Sequence, residues 1–177
     1  MWSHPGKKLL FMGGELASPW EWAHQDELPW WLLEHTEHAG MRDLMRDLNM
    51  VYRDEPALWE VDFSHEGFVW IEPNDAMGNI VAFMRVSADK SRKVVCIANL
   101  APVPRENYRV GLPEGGAWQE LLNTDSTHYG GTGVGNLGEV KAEERGWHDQ
   151  AFSAEVTLPP LAAVWLRPAA ALAGAAS

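Results

Sequence analysis

"GFVWIEPNDAMGNIVAFMRVSADKSRKVVCIANL", residues 67–100, holds three short runs rich in Val, Ile, Phe and Trp: GFVWI, NIVAFMRV and KVVCIANL. Branched and aromatic side chains suit a pleated surface, while the Pro, Asn, Asp, Gly and Ser between the runs turn the chain. The same grammar continues as YRVGL, AWQELL, FSAEVTL and AAVWL, parted by APVPREN, PEGG, a glycine-rich loop and PP. Seven short strands at roughly ten-residue spacing predict an antiparallel β-sandwich.

Upstream of Pro56 the pattern changes. Met41, Leu44, Met45, Leu48, Val51 and Tyr52 recur at helical spacing and predict an amphipathic helix, with Arg42, Asp43, Arg46 and Asp47 on its solvated side. Gly40 stands near its start and Pro56 closes it. Before it, residues 7–12 (KKLLFM) form a short apolar run that ends at Gly13 and Gly14. Such a run predicts a strand buried on both faces, as in a parallel sheet. One strand and one helix make a βα unit that cannot bury its own strand. The expected fold class is therefore mixed. Residues 1–55 are the end of a larger α/β domain, residues 56–168 a complete sandwich, and residues 169–177 (AAALAGAAS) a frayed tail.

Composition narrows the function. Lys plus Arg number 14 against 25 for Asp plus Glu, a formal charge of −11. Nucleic acid and anionic membrane both require clustered cations, so neither is expected as a partner. A neutral, hydroxyl-rich ligand is compatible with the charge. The single cysteine, Cys96, sits in an apolar run; it reads as a reduced core residue and excludes a disulfide framework. No stretch reaches the ~18 apolar residues of a membrane span. The opening MWSHPGKKLL lacks the apolar segment of a signal peptide, and a cytoplasmic location is expected.

Two motifs dissolve on inspection. GVGNLG, residues 133–138, satisfies G-x-G-x-x-G, but no strand precedes it and no apolar-faced helix follows; it reads as a sandwich loop. HTEH, residues 35–38, with His24 nearby, fits no zinc spacing, so no metal and no cofactor is expected.

The stretch FMGGELASPWEWAHQDELPWW, residues 11–31, carries Trp20, Trp22, Trp30 and Trp31 among Glu15, Glu21, His24, Asp26 and Glu27. Aromatic faces stack on the C–H faces of sugars, and flanking acids and imidazoles bind hydroxyls. The same residues have a plainer reading. Trp30 and Trp31 are expected to begin a helix and pack into the core. Trp20 and Trp22 are balanced between lining a site and packing. The four carboxylates alone do not make a catalytic pair, which must be held rigidly across a sugar ring.

Further phrases carry a resemblance. HPGKKLLFMGGE, RDLNMVYRDEPALWEVDF, NLAPVPRENYRVGLP, LLNTDSTHYGGTGVGN and TLPPLAAVWL occur in this order. Together they resemble the last part of the bacterial 1,4-α-glucan (glycogen) branching enzymes of the α-amylase superfamily. The resemblance implies the last strand, mouth loop and last helix of a (β/α)8 barrel, then a C-terminal β-domain. It implies cleavage of an α-1,4 bond through a retained glycosyl-enzyme intermediate and transfer of the segment to a 6-hydroxyl. The implied partners are α-glucan (glycogen or amylose) and the upstream barrel. The family carries its catalytic carboxylates on earlier barrel strands, so no catalytic residue is expected here and the chain alone is expected to be inactive. Glu15, Trp20, Glu21, Trp22 and His24, at the mouth, are the candidate substrate-binding residues. The loop departs from the family pattern at Leu16, at Glu21-Trp22-Ala23-His24-Gln25 and at Pro29-Trp30-Trp31, which bears on its glucan contacts. The alternative is a stand-alone glucan-binding or structural sandwich, with Trp70, Trp118, Trp147 and Trp165 as its aromatics.

Overall fold

The computed structural model describes residues 1–169. One helix, α1 (Thr36–Asp54), precedes eight strands: β1 (Phe68–Asp75), β2 (Ile80–Val86), β3 (Lys93–Asn99), β4 (Arg105–Leu112), β5 (Gly116–Asn123), β6 (Glu139–Ala142), β7 (Phe152–Leu158) and β8 (Ala162–Pro168). Six of them form one antiparallel sheet in the order β1-β2-β3-β8-β5-β6, and β4 and β7 form a separate ribbon.

Strand periodicity explains why the central runs are apolar throughout. Successive side chains point to opposite faces, and both faces of this sheet are covered. Ile80, Ala82, Val95, Ile97, Val164 and Leu166 face the ribbon, packing with Val110, Leu112, Val156 and Leu158. Phe83, Val94, Cys96 and Trp165 face the other way, packing with Leu48 of α1, Trp2, Ala57 and Leu58. The Cys96 thiol lies in this second core, and burial pushes its pKa up to about 12.

Polar ties bind the segment before the sheet to it. Arg85 is fully buried; it donates to the Gly67 carbonyl at 3.0 Å, the Ser3 carbonyl at 3.0 Å and Asp62 at 2.7 Å. Glu55, at the end of α1, accepts two bonds from Arg92 at 3.0 and 2.6 Å. Gly40 lets the loop after β5 touch α1, since a Cβ there would stand 2.3 Å from the Tyr129 carbonyl oxygen. Tyr129 also donates to Asp47 of the helix at 2.9 Å.

Several expectations are corrected. Residues 7–12 form no strand; Leu9, Leu10 and Phe11 are 73%, 43% and 53% exposed. The run has the composition of a strand, but no other strand lies beside it among the described residues. The βα unit of a barrel is thus not shown in this chain. The helix begins earlier than Gly40, at Thr36. The sheet gains β6, at the EVKA that follows the glycine-rich loop, with Val140 and Ala142 buried and Glu139 and Lys141 exposed. The tail, apart from Ala169, lies outside the described residues.

Candidate functional site

The aromatic loop hangs between two leucine anchors. Gly13 (φ 83°) and Ala17 (φ 48°) bracket a 3₁₀ turn, Gly14–Leu16, that sends Leu16 fully into the interior. A second 3₁₀ turn, Trp30–Glu34, buries Leu32. Both turns lie against α1, where His38 Nδ1 donates to the Leu16 carbonyl at 2.7 Å.

The chain between the anchors faces solvent. Trp20 and Trp22 are each 57% exposed, Trp30 49% and Trp31 52%. Core packing of Trp30 and Trp31 is therefore overturned, because the turn points Leu32 inward and leaves both indoles outside. The rings meet one another instead. Trp20 lies 5.6 Å from Trp31, and Trp22 meets Phe11 edge-on at 5.3 Å. Phe11 belongs to the apolar run whose composition predicts a strand, so its place beside the loop is not legible in the sequence.

Trp20, Glu21 and Trp22 line a cavity of about 170 Å³ together with Asp26, Glu27 and Leu28. Glu15 and His24 do not line it. Glu15 is half-buried in the first 3₁₀ turn, and the exposed His24 stands beside Trp22, rings 6.3 Å apart. The cavity offers indole faces for C–H stacking and carboxylates that accept from hydroxyls, the combination that a neutral sugar chain requires.

Among the described residues, no group of three His, Cys, Asp or Glu side chains is placed to hold a metal ion, and no helix is long and apolar enough to cross a membrane. GVGNLG forms the loop between β5 and β6, with Gly133 and Gly138 at φ 80° and 93°. Of the four sandwich tryptophans, Trp118 and Trp165 are core residues, whereas Trp70 and Trp147 are 51% and 43% exposed.

Residues 70–169 match the family described as alpha amylase, C-terminal all-beta domain. The chain is 51% identical over 168 residues to the 1,4-alpha-glucan branching enzyme of Myxococcus xanthus, covering 95% of this chain and 23% of that protein. It is 53% identical over 168 residues to the enzyme of the same name from Cupriavidus necator, covering 94% and 22%. The chain thus spans about a quarter of the length of the curated relatives it matches. Among solved structures, the debranching enzyme of Nostoc punctiforme is similar in fold, with a TM-score of 0.58 at 15% identity over 94% of this chain and 29% of that one.

Proposed function

We infer that this chain, which belongs to the alpha amylase C-terminal all-beta domain family, is the C-terminal part of a 1,4-α-glucan branching enzyme. The observation that carries this reading is the reach of the likeness. It covers 95% of the chain at 51% identity, well beyond the 70–169 of the β-domain and into the helix and the aromatic loop. In this reading residues 1–55 complete a (β/α)8 barrel. The exposed apolar run at Leu9, Leu10 and Phe11 supports it, because such a run gains most by entering a sheet. The aromatic loop then lies at the mouth of the barrel, where parallel α/β barrels build their sites, and Trp20, Glu21 and Trp22 contact the glucan. Residues 56–168 form the β-domain that closes the barrel's end. No residue of the chain is assigned a catalytic role. The substrate is α-glucan and the location cytoplasmic.

The test is a chimera in which this chain replaces the matched segment of the Myxococcus xanthus enzyme. The chimera is expected to branch amylose, seen as falling iodine absorbance and new α-1,6 linkages. A folded chimera that makes no more branches than the same enzyme truncated before the segment would overturn the reading.

A further inference from the structure

The β-domain carries a second cavity, of about 490 Å³, on the ribbon side of the six-stranded sheet, opposite the face covered by α1. Its volume falls in the ordinary range of ligand pockets, about 300–1,000 Å³. The wall is made by the end of β1, the start of β4 and the turn before β7.

That turn is built to present two rings. Trp147 and Gln150 exchange backbone hydrogen bonds at 3.1 and 2.9 Å. Between them His148 (φ 48°) and Asp149 (φ 58°) both occupy the left-handed region, as a two-residue hairpin turn of this hand demands. Side chains are uncommon there, and such positions persist only where the surroundings enforce them. The enforcement is visible at Gly111 of β4, where a Cβ would stand 2.2 Å from the Trp147 carbonyl oxygen. The turn is seated directly on the ribbon.

His148 is held from both sides. Its Nδ1 accepts from the Gly111 N–H at 3.4 Å, and its Nε2 lies 3.2 Å from Glu72 Oε2. This is a consistent neutral tautomer, with Nε2–H donating to the carboxylate, and burial lowers the imidazole pKa accordingly. Trp147 stands beside it, 5.7 Å between rings, and keeps 43% of its surface exposed over the cavity.

The remaining wall offers hydrogen bonds of both kinds. Tyr108 donates to Asp75 Oδ2 at 3.4 Å, while Asp75 Oδ1 accepts from the Gly78 N–H and Glu72 Oε1 from the Asn74 N–H, each at 2.7 Å; a carboxylate oxygen has a second lone pair with which to accept from a ligand hydroxyl. Asn107, itself at φ 54° on the irregularity of β4, brings an amide. Arg105 Nε is buried with no partner among the described residues, while its Nη2 donates to the Gly78 carbonyl at 3.2 Å. Three carboxylates, Glu72, Asp75 and Glu106, stand with two guanidiniums, Arg105 and Arg109, and Arg109 is already paired with Glu143 and Glu155 at 2.6 Å, so the cavity, acidic on balance, does not select an anion. It matches a neutral ligand with an apolar face and many hydroxyls.

We propose that Trp147, with Glu72, Asp75, Arg105 and Asn107, forms a non-catalytic binding site for an α-1,4-glucan chain, separate from the aromatic loop. The choice of glucan rests on the function inferred above; the built cavity does not. On the opposite face of the sheet from the loop, it holds a long chain at a second point and raises the local concentration of glucan.

The chain is titrated with maltoheptaose and followed by two-dimensional NMR, with cellohexaose as the β-linked control. Maltoheptaose is expected to shift the Trp147 indole resonance and the amides of residues 105–109 and 147–150, with a much smaller response to cellohexaose. In a gel containing glycogen, Trp147→Ala is expected to weaken retardation roughly tenfold, and Trp147→Tyr to keep most of it. Shifts confined to the loop, or none at saturating maltoheptaose, overturn the proposal. So does equal retardation of wild type and a Trp147→Ala variant with an unchanged melting temperature. An equal response to cellohexaose keeps a sugar site but overturns its assignment to α-glucan. A chimera that fails to branch while these shifts persist overturns the enzyme reading and leaves the site standing.

Discussion

Tryptophan does two jobs in this chain, and exposure separates them. Trp118 is fully buried, its indole N–H donating to the Glu114 carbonyl at 3.1 Å; Trp118→Ala is expected to cost about 3–5 kcal/mol, read from the denaturation midpoint. Trp22 touches Phe11 edge-on but is 57% exposed. In the branching chimera, Trp22→Ala is expected to cost roughly tenfold in glucan affinity with little change in melting temperature. Early unfolding would make Trp22 a packing residue, and no change in either quantity would remove the loop from the site. The sequence did not distinguish Trp118 from Trp147, because burial depends on strand register and on which face the ribbon covers. His148 carries a pH signature. Burial lowers its pKa, against the opposing pull of Glu72, Asp75 and Asp149. The unfolded chain then binds a proton more readily than the folded one. The stability this histidine contributes is present above its ordinary pKa of about 6.5 and is lost as pH falls from there through the lower folded value. His148→Gln is expected to flatten the fall in melting temperature between roughly pH 7 and pH 5. Identical slopes for variant and wild type would contradict this.

At the level of elements, legibility follows period and neighbours. The seven strands anticipated from their composition are all present because each has a partner and at least one covered face. β6 is not legible in the sequence because EVKA is four residues long and half exposed, too short for alternation to stand out. Residues 7–12 erred the other way, since apolar composition cannot supply a hydrogen-bonding neighbour. The helix was legible because its stripe is amphipathic over several turns, and its phase is testable. Leu48 is 6% exposed and packs with Trp2, Ala57, Leu58 and Trp165. Arg46, on the far side, is exposed and pairs with Asp43 and Asp47 of the same helix. Leu48→Ala is expected to cost roughly 2–5 kcal/mol, and Arg46→Ala about 0.5 kcal/mol or less. Equal losses in urea denaturation would mean that the stripe has been assigned to the wrong face.

Across the whole molecule, cohesion is uneven. The six-stranded sheet has a continuous core on each face, and α1, Trp2, Ala57 and Leu58 share one of them, reinforced by Trp2 donating to Asn49 at 2.8 Å, Arg85 reaching Ser3 and Asp62, and Arg92 holding Glu55. Among the described residues, Leu16 and Leu32 are the buried apolar side chains that anchor the aromatic loop, and between them its backbone makes few hydrogen bonds. Local opening is governed by such differences: a segment with little buried apolar surface and an exposed backbone opens at far lower cost than a core strand. Cleavage under native conditions tracks the open population. Limited proteolysis of the 177-residue chain is therefore expected to cut first between residues 12 and 37, leaving a resistant fragment that contains β3 intact. Saturating maltoheptaose should slow that first cut in the branching chimera, where the loop borders the glucan, more than in the chain alone. Mass spectrometry of the early fragments identifies the site. A first cut within β3, with the loop still whole, would mean that the loop is held by packing absent from this account, and the assignment of Trp20 and Trp22 to a ligand-facing surface would fall with it.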